Sequence, residues 1–205
     1  MDTSRIFPGG IPMSQPKKPT SIHLMTAVGL MAALVFASSY ISINIPTILG
    51  VSRIHFGNAF CLLSGFLLGG VPGGLAAGIG SCFFDLTNPL YISSAPFTLV
   101  FKFLLAFVAG KISHGAGHKA ENRGRNLVAA VCGSLTYAAL YVGKNFLEDT
   151  LFLQTELETA LIDAGQKCIT SLANAAIAVV LSMVLWPMIR TAIRRTPMAE
   201  KLGLI

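Results

Sequence analysis

A set of polar and charged side chains lies inside segments that are otherwise apolar. They are two lysines, one aspartate, one tyrosine and three asparagines: Asn58, Asp85, Lys102, Tyr141, Asn145, Lys167 and Asn174. Ammonium groups bind acceptor or anionic atoms of a ligand, and an aromatic ring stacks on a flat heterocycle. These residue types therefore favour the binding of a small ring-containing molecule, and we predict no catalytic residues.

Motifs for nucleotide or metal chemistry are missing from the sequence. Gly110-Lys111 and Gly143-Lys144 lack the upstream glycine and the following Ser or Thr of a P-loop. His114 and His118 have a spacing that can hold a metal, but they lie in a basic, glycine-containing segment, for which we expect a solvated loop. The four cysteines show no CxxC spacing, which favours buried small residues over a zinc site or disulfides. We therefore predict no metal and no cofactor.

The composition indicates a membrane protein. Of the 205 residues, 53% are hydrophobic and only 12% are charged, whereas a soluble domain carries about 25% charged residues. The mean hydropathy is +0.68, which argues against a soluble globular protein and against disorder. The net charge is +6, but aromatic residues do not interleave with the basic clusters as on a nucleic-acid surface. The predicted class is an integral membrane protein that binds no nucleic acid.

Six apolar helices are predicted, at about 21–43, 54–70, 73–86, 96–112, 126–147 and 158–188. The run from 69 to 74 is rich in glycine and predicts a tight reversal before the third helix. That helix is shorter than the roughly 20 residues of a full span, so its end should lie in protein or in a water-filled cavity. The predicted fold class is an all-α bundle of six transmembrane helices.

The basic residues predict the orientation of this bundle. Eleven of the 15 Lys and Arg residues fall into three clusters, namely Arg5, Lys17 and Lys18, then Lys111, Lys119, Arg123 and Arg125, and finally Arg190, Arg194, Arg195 and Lys201. The loop before the sixth helix is acidic instead. The positive-inside rule then places both termini in the cytoplasm. We expect a disordered cytoplasmic segment at 1–20, a membrane domain at 21–190 and a basic cytoplasmic tail at 191–205.

In this orientation the polar side chains gather in the outer half of the bundle. Tyr137, Tyr141 and Asn145 share one helical face, and a stripe on the sixth helix carries Asp163 and Asn174. Because a polar stripe on a membrane helix faces protein or water, these residues predict a pocket that opens to the outside and is closed below by apolar side chains.

Other roles for these residues remain open. Basic side chains such as Lys144 and Arg53 could extend to the lipid headgroups. Asp85 and Lys102 could form a structural ion pair, and Asp163 and Lys167, at positions i and i+4, could neutralise each other.

Small residues recur at helical spacing and predict close helix packing. In the second and third helices they favour packing within the chain: Gly65, Gly69, Gly74 and Gly78. In the first helix, Gly29, Ala33 and Ala37 form a small-xxx-small face that could contact another subunit.

Three stretches resemble the substrate-binding S components of energy-coupling factor (ECF) vitamin transporters. The first is Arg53-Ile54-His55-Phe56-Gly57-Asn58-Ala59-Phe60-Cys61-Leu62-Leu63. The second is Gly73-Gly74-Leu75-Ala76-Ala77-Gly78-Ile79-Gly80-Ser81, continued by Phe84-Asp85-Leu86, and the third runs from Ala95-Pro96-Phe97-Thr98 to Lys102-Phe103. The likeness is clearest over 50–112 and looks closest to the riboflavin-type or uncharacterised branch.

The resemblance implies a function and partners. Such proteins bind a vitamin from outside the bacterial plasma membrane and dock on a transmembrane coupling subunit with two cytoplasmic ATPases, whose ATP hydrolysis makes the S component topple and release its substrate inside. The family docks through a small-residue face on the first helix, which implies that role for Gly29, Ala33 and Ala37. Riboflavin, pyridoxine, a thiamine pyrimidine precursor and haem remain open as ligands. A stand-alone channel or a structural membrane protein are the alternatives.

Overall fold

The structure is a computed structural model that describes residues 21–195. Six α-helices lie within this range: α1 (Ser21–Ser39), α2 (Gly57–Leu68), α3 (Gly70–Thr87), α4 (Ala95–His114), α5 (Arg123–Leu147) and α6 (Leu157–Arg194). Two strands, β1 (Ser42–Thr47) and β2 (Gly50–His55), form an antiparallel hairpin between α1 and α2. The expected segment 1–20 and residues 196–205 of the expected tail lie outside the described residues.

The hairpin replaces the end of one predicted helix and the start of the next. The first helix was expected to reach 43 and the second to begin at 54, and both bounds are wrong. The segment after Ser39 alternates Ile with short polar residues, which favours a strand. Pro46 is tolerated because it lies on the edge of a two-stranded sheet. Ser42 pairs with His55, and Thr47 pairs with Gly50 next to the turn.

A single residue separates α2 from α3. Gly69 has a φ of +79°, a left-handed value that glycine adopts without strain, and helix resumes at Gly70. Pro72 sits in the first turn of α3, where a missing N–H is tolerated. The predicted tight reversal is therefore present but confined to Gly69, and the expected start of the third helix at 73 is wrong. With 12 residues, α2 is shorter than α3, which has 18.

Glycines in α2 and α3 allow close packing on α4. A Cβ atom at Gly65 would lie 2.5 Å from the Ala106 carbonyl oxygen of α4, and one at Gly78 would lie 2.7 Å from that of Leu99. Larger side chains would force these helices apart, so the prediction that the small residues of α2 and α3 pack within the chain is confirmed.

The helices alternate in direction, so the bundle has two distinct ends. The hairpin, the connection before α4 and the connection before α6 meet at one end, here called the hairpin end. The segment 115–122 and the last turns of α6 meet at the other, here called the basic end. An apolar core fills the region between them, with Leu62, Phe66 and Leu105 completely buried.

At the basic end, one carbonyl group organises the chain. Ala120 O accepts hydrogen bonds from Asn126 Nδ2, Trp186 Nε1 and Arg190 Nη1. These bonds tie the 115–122 segment to α6, which continues through Pro187 to Arg194. The sixth helix was expected to stop near Trp186 and Pro187, and that bound is wrong.

The outer surface of the bundle is strongly apolar, as expected of a membrane protein. Large hydrophobic side chains of several helices are exposed, among them Ile169, Val180 and Met188 of α6. Four helical segments of the described chain are long and apolar enough to cross a membrane: Ile22–Ser39, Ile92–Gly117, Arg123–Phe152 and Leu157–Arg194. The bundle is therefore a helical membrane domain with one small hairpin added to it.

Candidate ligand-binding site

A cavity of about 370 Å³ opens at the hairpin end. Its wall is built from β2, the end of α3, the connection before α4, the first turns of α4, the last turns of α5 with the turn that follows it, and the first half of α6. Its volume lies in the range of small-molecule sites. The wall combines aromatic rings with charged and amide side chains, which is suited to a flat molecule with polar edges.

The structure brings the seven sequence-predicted site residues together. Six of them line the cavity: Asp85, Lys102, Tyr141, Asn145, Lys167 and Asn174. The seventh, Asn58, is buried directly behind the wall and accepts a hydrogen bond from Lys102. Whether each of them contacts a ligand stays a prediction.

Lys102 is a fully buried cation in the wall. Its Nζ donates to Asn58 Oδ1 and lies 3.8 Å from the centre of the Tyr137 ring. Such a cation–π contact compensates part of the lost hydration. The described residues place no carboxylate oxygen within ion-pair distance of this ammonium group, so its charge is not balanced by a direct ion pair.

Asp85 forms its ion pair with Arg53 and not with Lys102, the partner that the sequence suggested. The Nη2 atom of Arg53 lies 3.7 Å from Asp85 Oδ1, so the ion pair of Asp85 is with β2 and not with α4. The guanidinium lies between two rings, 4.3 Å from the centre of Phe84 and 4.6 Å from that of Tyr91. These contacts hold both charged groups in fixed positions.

The second buried lysine is neutralised by carboxylates. Lys167 Nζ lies 2.6 Å from Asp163 Oδ2 and 3.6 Å from Asp149 Oδ2, and it also donates to Asn145 Oδ1 at 3.1 Å. The alternative that Asp163 and Lys167 neutralise each other is therefore realised. Asp149 belongs to a π-helical turn, Glu148–Phe152, that continues α5.

The hairpin is attached to α6 by side-chain amides and a carboxylate. Asn174 Oδ1 accepts from His55 N at 2.9 Å, and Asn174 Nδ2 donates to Arg53 O at 2.6 Å, so the amide pairs with β2 as another strand would. Nearer the turn, Gln166 Oε1 and Asp163 Oδ1 accept from the backbone N–H groups of Ile48 and Leu49. The polar stripe of α6 therefore faces protein.

Several polar atoms of wall residues lack a hydrogen-bond partner in the described structure. They are Arg53 Nη1, His55 Nδ1, Asp85 Oδ1 and Asp149 Oδ2. A buried polar group without a partner costs about 1–3 kcal/mol. Burial lowers the pKa of His55, in the hairpin, well below its usual value, and the charges of Lys102 and Arg53 lower it further. A ligand that pairs with these atoms would recover the cost.

Sequence reasoning left several wall residues out of the site. Arg53 and His55 stand out in an apolar sequence but were read as the start of a helix, because the hairpin was not foreseen. Tyr137 was placed on the polar face of α5 but was not selected as a site residue. Tyr91 lies in a connection, where neither spacing nor burial is visible from the sequence.

The small-residue face of α1 lies away from the cavity. Gly29, Ala33 and Ala37 are all exposed on the outside of the bundle. A Cβ atom built at Gly29 would meet no other atom within 4 Å. Unlike Gly65 and Gly78, this glycine is not required by packing within the described chain.

Comparison with known proteins agrees with a helical membrane protein. A family model described as "ECF-type riboflavin transporter, S component" matches residues 19–191. A protein from Pyrococcus woesei, described as "Uncharacterized protein in gap 3'region", is 33% identical over 100 residues, which are 49% of this chain and 64% of the relative. The chain thus spans less than two thirds of that relative's length.

Proposed function

The chain belongs to the ECF-type riboflavin transporter S component family, and we propose that it captures riboflavin outside the cell in the cavity at the hairpin end. The family is one of transporter components and not of enzymes. The expected resemblance to a vitamin-transporter S component is confirmed at the level of the family. The substrate, its release inside and the coupling to ATP are the further parts of the proposal.

The observation that carries the proposal is the position and lining of the cavity. It ends above a fully buried apolar core, and its wall offers both ring faces and fixed charges. An isoalloxazine ring has two flat faces and a polar edge, and a ribityl chain carries hydroxyl groups. Aromatic walls with a few placed polar groups are what such a molecule requires. We propose Asn58, Asp85, Lys102, Tyr141, Asn145, Lys167 and Asn174 as the site residues, with Asn58 acting through Lys102.

For the topology, we propose six membrane spans with both termini in the cytoplasm. The basic residues within and beside the 115–122 segment and at the end of α6 support this orientation, because positive residues favour the inner face. The acidic connection before α6 lies at the opposite, hairpin end. The 12 residues of α2 are short for a span, but α2 is surrounded by protein, where a short helix is tolerated.

We propose that the energy for import comes from ATP hydrolysis, and that the protein docks for this purpose on a transmembrane coupling subunit associated with two ATPases. The exposed face formed by Gly29, Ala33 and Ala37 supports this contact, because small residues let a partner helix approach closely. A stand-alone channel is less well supported, since the apolar core separates the cavity from the basic end.

The experiment is a titration of the purified protein with riboflavin, followed by flavin fluorescence and by the thermal unfolding midpoint. We expect saturable binding at one site and a rise in the midpoint, because a ligand that binds the folded state stabilises it. Pyridoxine, a thiamine pyrimidine precursor and haem serve as competing ligands. Absence of stabilisation by any of them would favour a structural protein.

Reconstitution in liposomes separates the importer from the channel. With a coupling module present, uptake of riboflavin should require ATP, and without the module there should be no flux. Uptake by the protein alone would contradict the importer.

A further inference from the structure

Three charged groups of the cavity wall have hydrogen-bonding capacity that the described chain does not use. Arg53 Nη1 is a donor without a partner, and Asp85 Oδ1 is an acceptor without one. Lys102 Nζ can donate three hydrogen bonds, and the described residues supply one acceptor, Asn58 Oδ1. These three residues line one cavity and together offer two donor groups and one acceptor. His55 Nδ1 and Asp149 Oδ2 of the same wall also lack a hydrogen-bond partner.

These groups are held in position before any ligand arrives. The Arg53 guanidinium is fixed between the rings of Phe84 and Tyr91, and the Lys102 ammonium is fixed on the ring of Tyr137. Both cations are therefore held by cation–π contacts, which leave N–H groups that can donate hydrogen bonds to a ligand. Preorganised groups lose little conformational entropy on binding, so such a set is suited to specific recognition.

The complement of two donors and one acceptor is a ring edge with two acceptors and one donor. A cyclic imide has this pattern, because its N–H lies between two carbonyl groups. The pyrimidinedione part of a flavin is a cyclic imide, whereas pyridoxine, an aminopyrimidine and haem have no such edge. The side-chain set therefore distinguishes among the flat heterocycles that the sequence left open.

We propose that Arg53, Asp85 and Lys102 bind the imide edge of the ligand ring, with Asp85 accepting from the imide N–H and the two cations donating to the flanking carbonyl groups. This inference rests on the proposed function and adds the orientation of the ring: the imide edge points to the Arg53–Asp85 pair and the ribityl chain points away from it.

The test compares riboflavin with N3-methylriboflavin, in which a methyl group replaces the imide hydrogen. Dissociation constants of both probes are measured for the wild-type protein, Asp85→Ala, Asp85→Asn and the control Glu158→Ala, which removes an exposed carboxylate of α6 outside the cavity wall. We expect methylation to weaken wild-type binding by about tenfold or more, because a hydrogen bond to a charged group is lost.

The variants assign this loss to Asp85. In Asp85→Ala the methylation penalty should fall to about threefold or less, because the acceptor is gone and the two changes remove the same interaction. Asp85→Asn keeps a weaker acceptor and should give an intermediate penalty, and Glu158→Ala should match the wild type. If Asp85→Ala does not fold, the ratio of the two dissociation constants can still be compared between the wild type and Asp85→Asn. A smaller ratio in Asp85→Asn then assigns the interaction to Asp85.

Two results would overturn the inference. One is a wild-type protein that binds both probes equally, and the other is a penalty that is the same in the wild type and in the Asp85 variants. In both cases riboflavin still binds, so the proposed function stands. A wild-type protein that binds neither probe contradicts the proposed function itself.

Discussion

Lys102 and Lys167 are both buried lysines of the cavity wall, but their charges are balanced differently. Lys167 lies 2.6 Å from Asp163 and 3.6 Å from Asp149. Lys102 is supported by an amide oxygen and an aromatic ring. A buried cation without a carboxylate partner reduces the stability of the ligand-free protein, so its retention in the wall is best explained by the ligand.

Replacing each lysine with methionine should separate the two roles. Lys102→Met removes a costly buried charge, so we expect riboflavin affinity to fall by about tenfold or more without a fall in the ligand-free unfolding midpoint. Lys167→Met leaves two buried carboxylates facing each other, which costs about 3–5 kcal/mol, so its midpoint should fall clearly. Binding titrations and thermal unfolding in detergent measure both effects.

Lys111→Met, which removes an exposed lysine near the basic end, serves as the control and should change neither quantity. A Lys102→Met protein with a lowered midpoint and unchanged affinity would contradict a binding role for this residue.

The difference between the two lysines could not be predicted from the sequence. Both are isolated cations in apolar helices, and that pattern was sufficient to select them as wall residues. Their partners come from distant parts of the chain: Asn58 and Tyr137 for Lys102, and Asp149 for Lys167. Periodicity shows which residues share a helix face, but it does not show which faces of different helices meet.

At the scale of the elements, the hairpin between α1 and α2 completes the cavity. It provides Arg53 and His55 to the wall, and its position depends on contacts with α6 and with the connection before α4. On the latter side, Tyr91 Oη donates to Asn44 Oδ1 at 2.9 Å. The hairpin alone would be marginal, since an isolated two-stranded hairpin has little stability, so these contacts decide whether it stays in place.

Asn174→Asp tests the attachment of the hairpin to α6. The carboxylate still accepts from His55 N, but it cannot donate to Arg53 O, and two oxygens then face each other. We expect the opening free energy of the hairpin to fall by about 1–3 kcal/mol. Hydrogen exchange of the backbone N–H groups in 42–55 should become faster, by the factor that this fall in opening free energy gives.

Ser182→Ala is the matched control, because Ser182 is a buried polar residue of α6 that bonds within its own helix. Its hairpin exchange should equal that of the wild type. Unchanged exchange in Asn174→Asp would show that Asn174 does not hold the hairpin.

The helices were predictable and the hairpin was not, for one physical reason. Apolar runs indicate membrane helices by length and hydropathy, and they located all six helices, including α2, which is much shorter than a full span. The hairpin is a short segment whose alternation is weak and whose stability comes from Asn174 and Gln166, more than 100 residues later in the chain. The glycine run at 69–74 misled for a similar reason, because glycines that allow helices to touch look like a loop in the sequence.

At the scale of the whole molecule, the cavity and the face of α1 are separate surfaces. The cavity lies at the hairpin end, whereas Gly29, Ala33 and Ala37 are exposed along the side of the bundle. Ligand capture and docking on the coupling module can therefore be altered independently if the proposed function is right.

Ala33→Trp tests this independence. A bulky ring in the middle of the small face should prevent close approach of a partner helix, while Ala33 is exposed and has no part in the cavity wall. We expect riboflavin affinity within about twofold of the wild type, together with loss of co-purification with the coupling module and loss of ATP-dependent uptake. Leu135→Trp is the matched control, because Leu135 is exposed on α5, and this variant should transport normally.

If Ala33→Trp transported as well as the control, the coupling module would have to contact another face of the bundle. If it lost riboflavin affinity as well, the two surfaces would be coupled through α1, which packs on α3, the helix that carries Asp85.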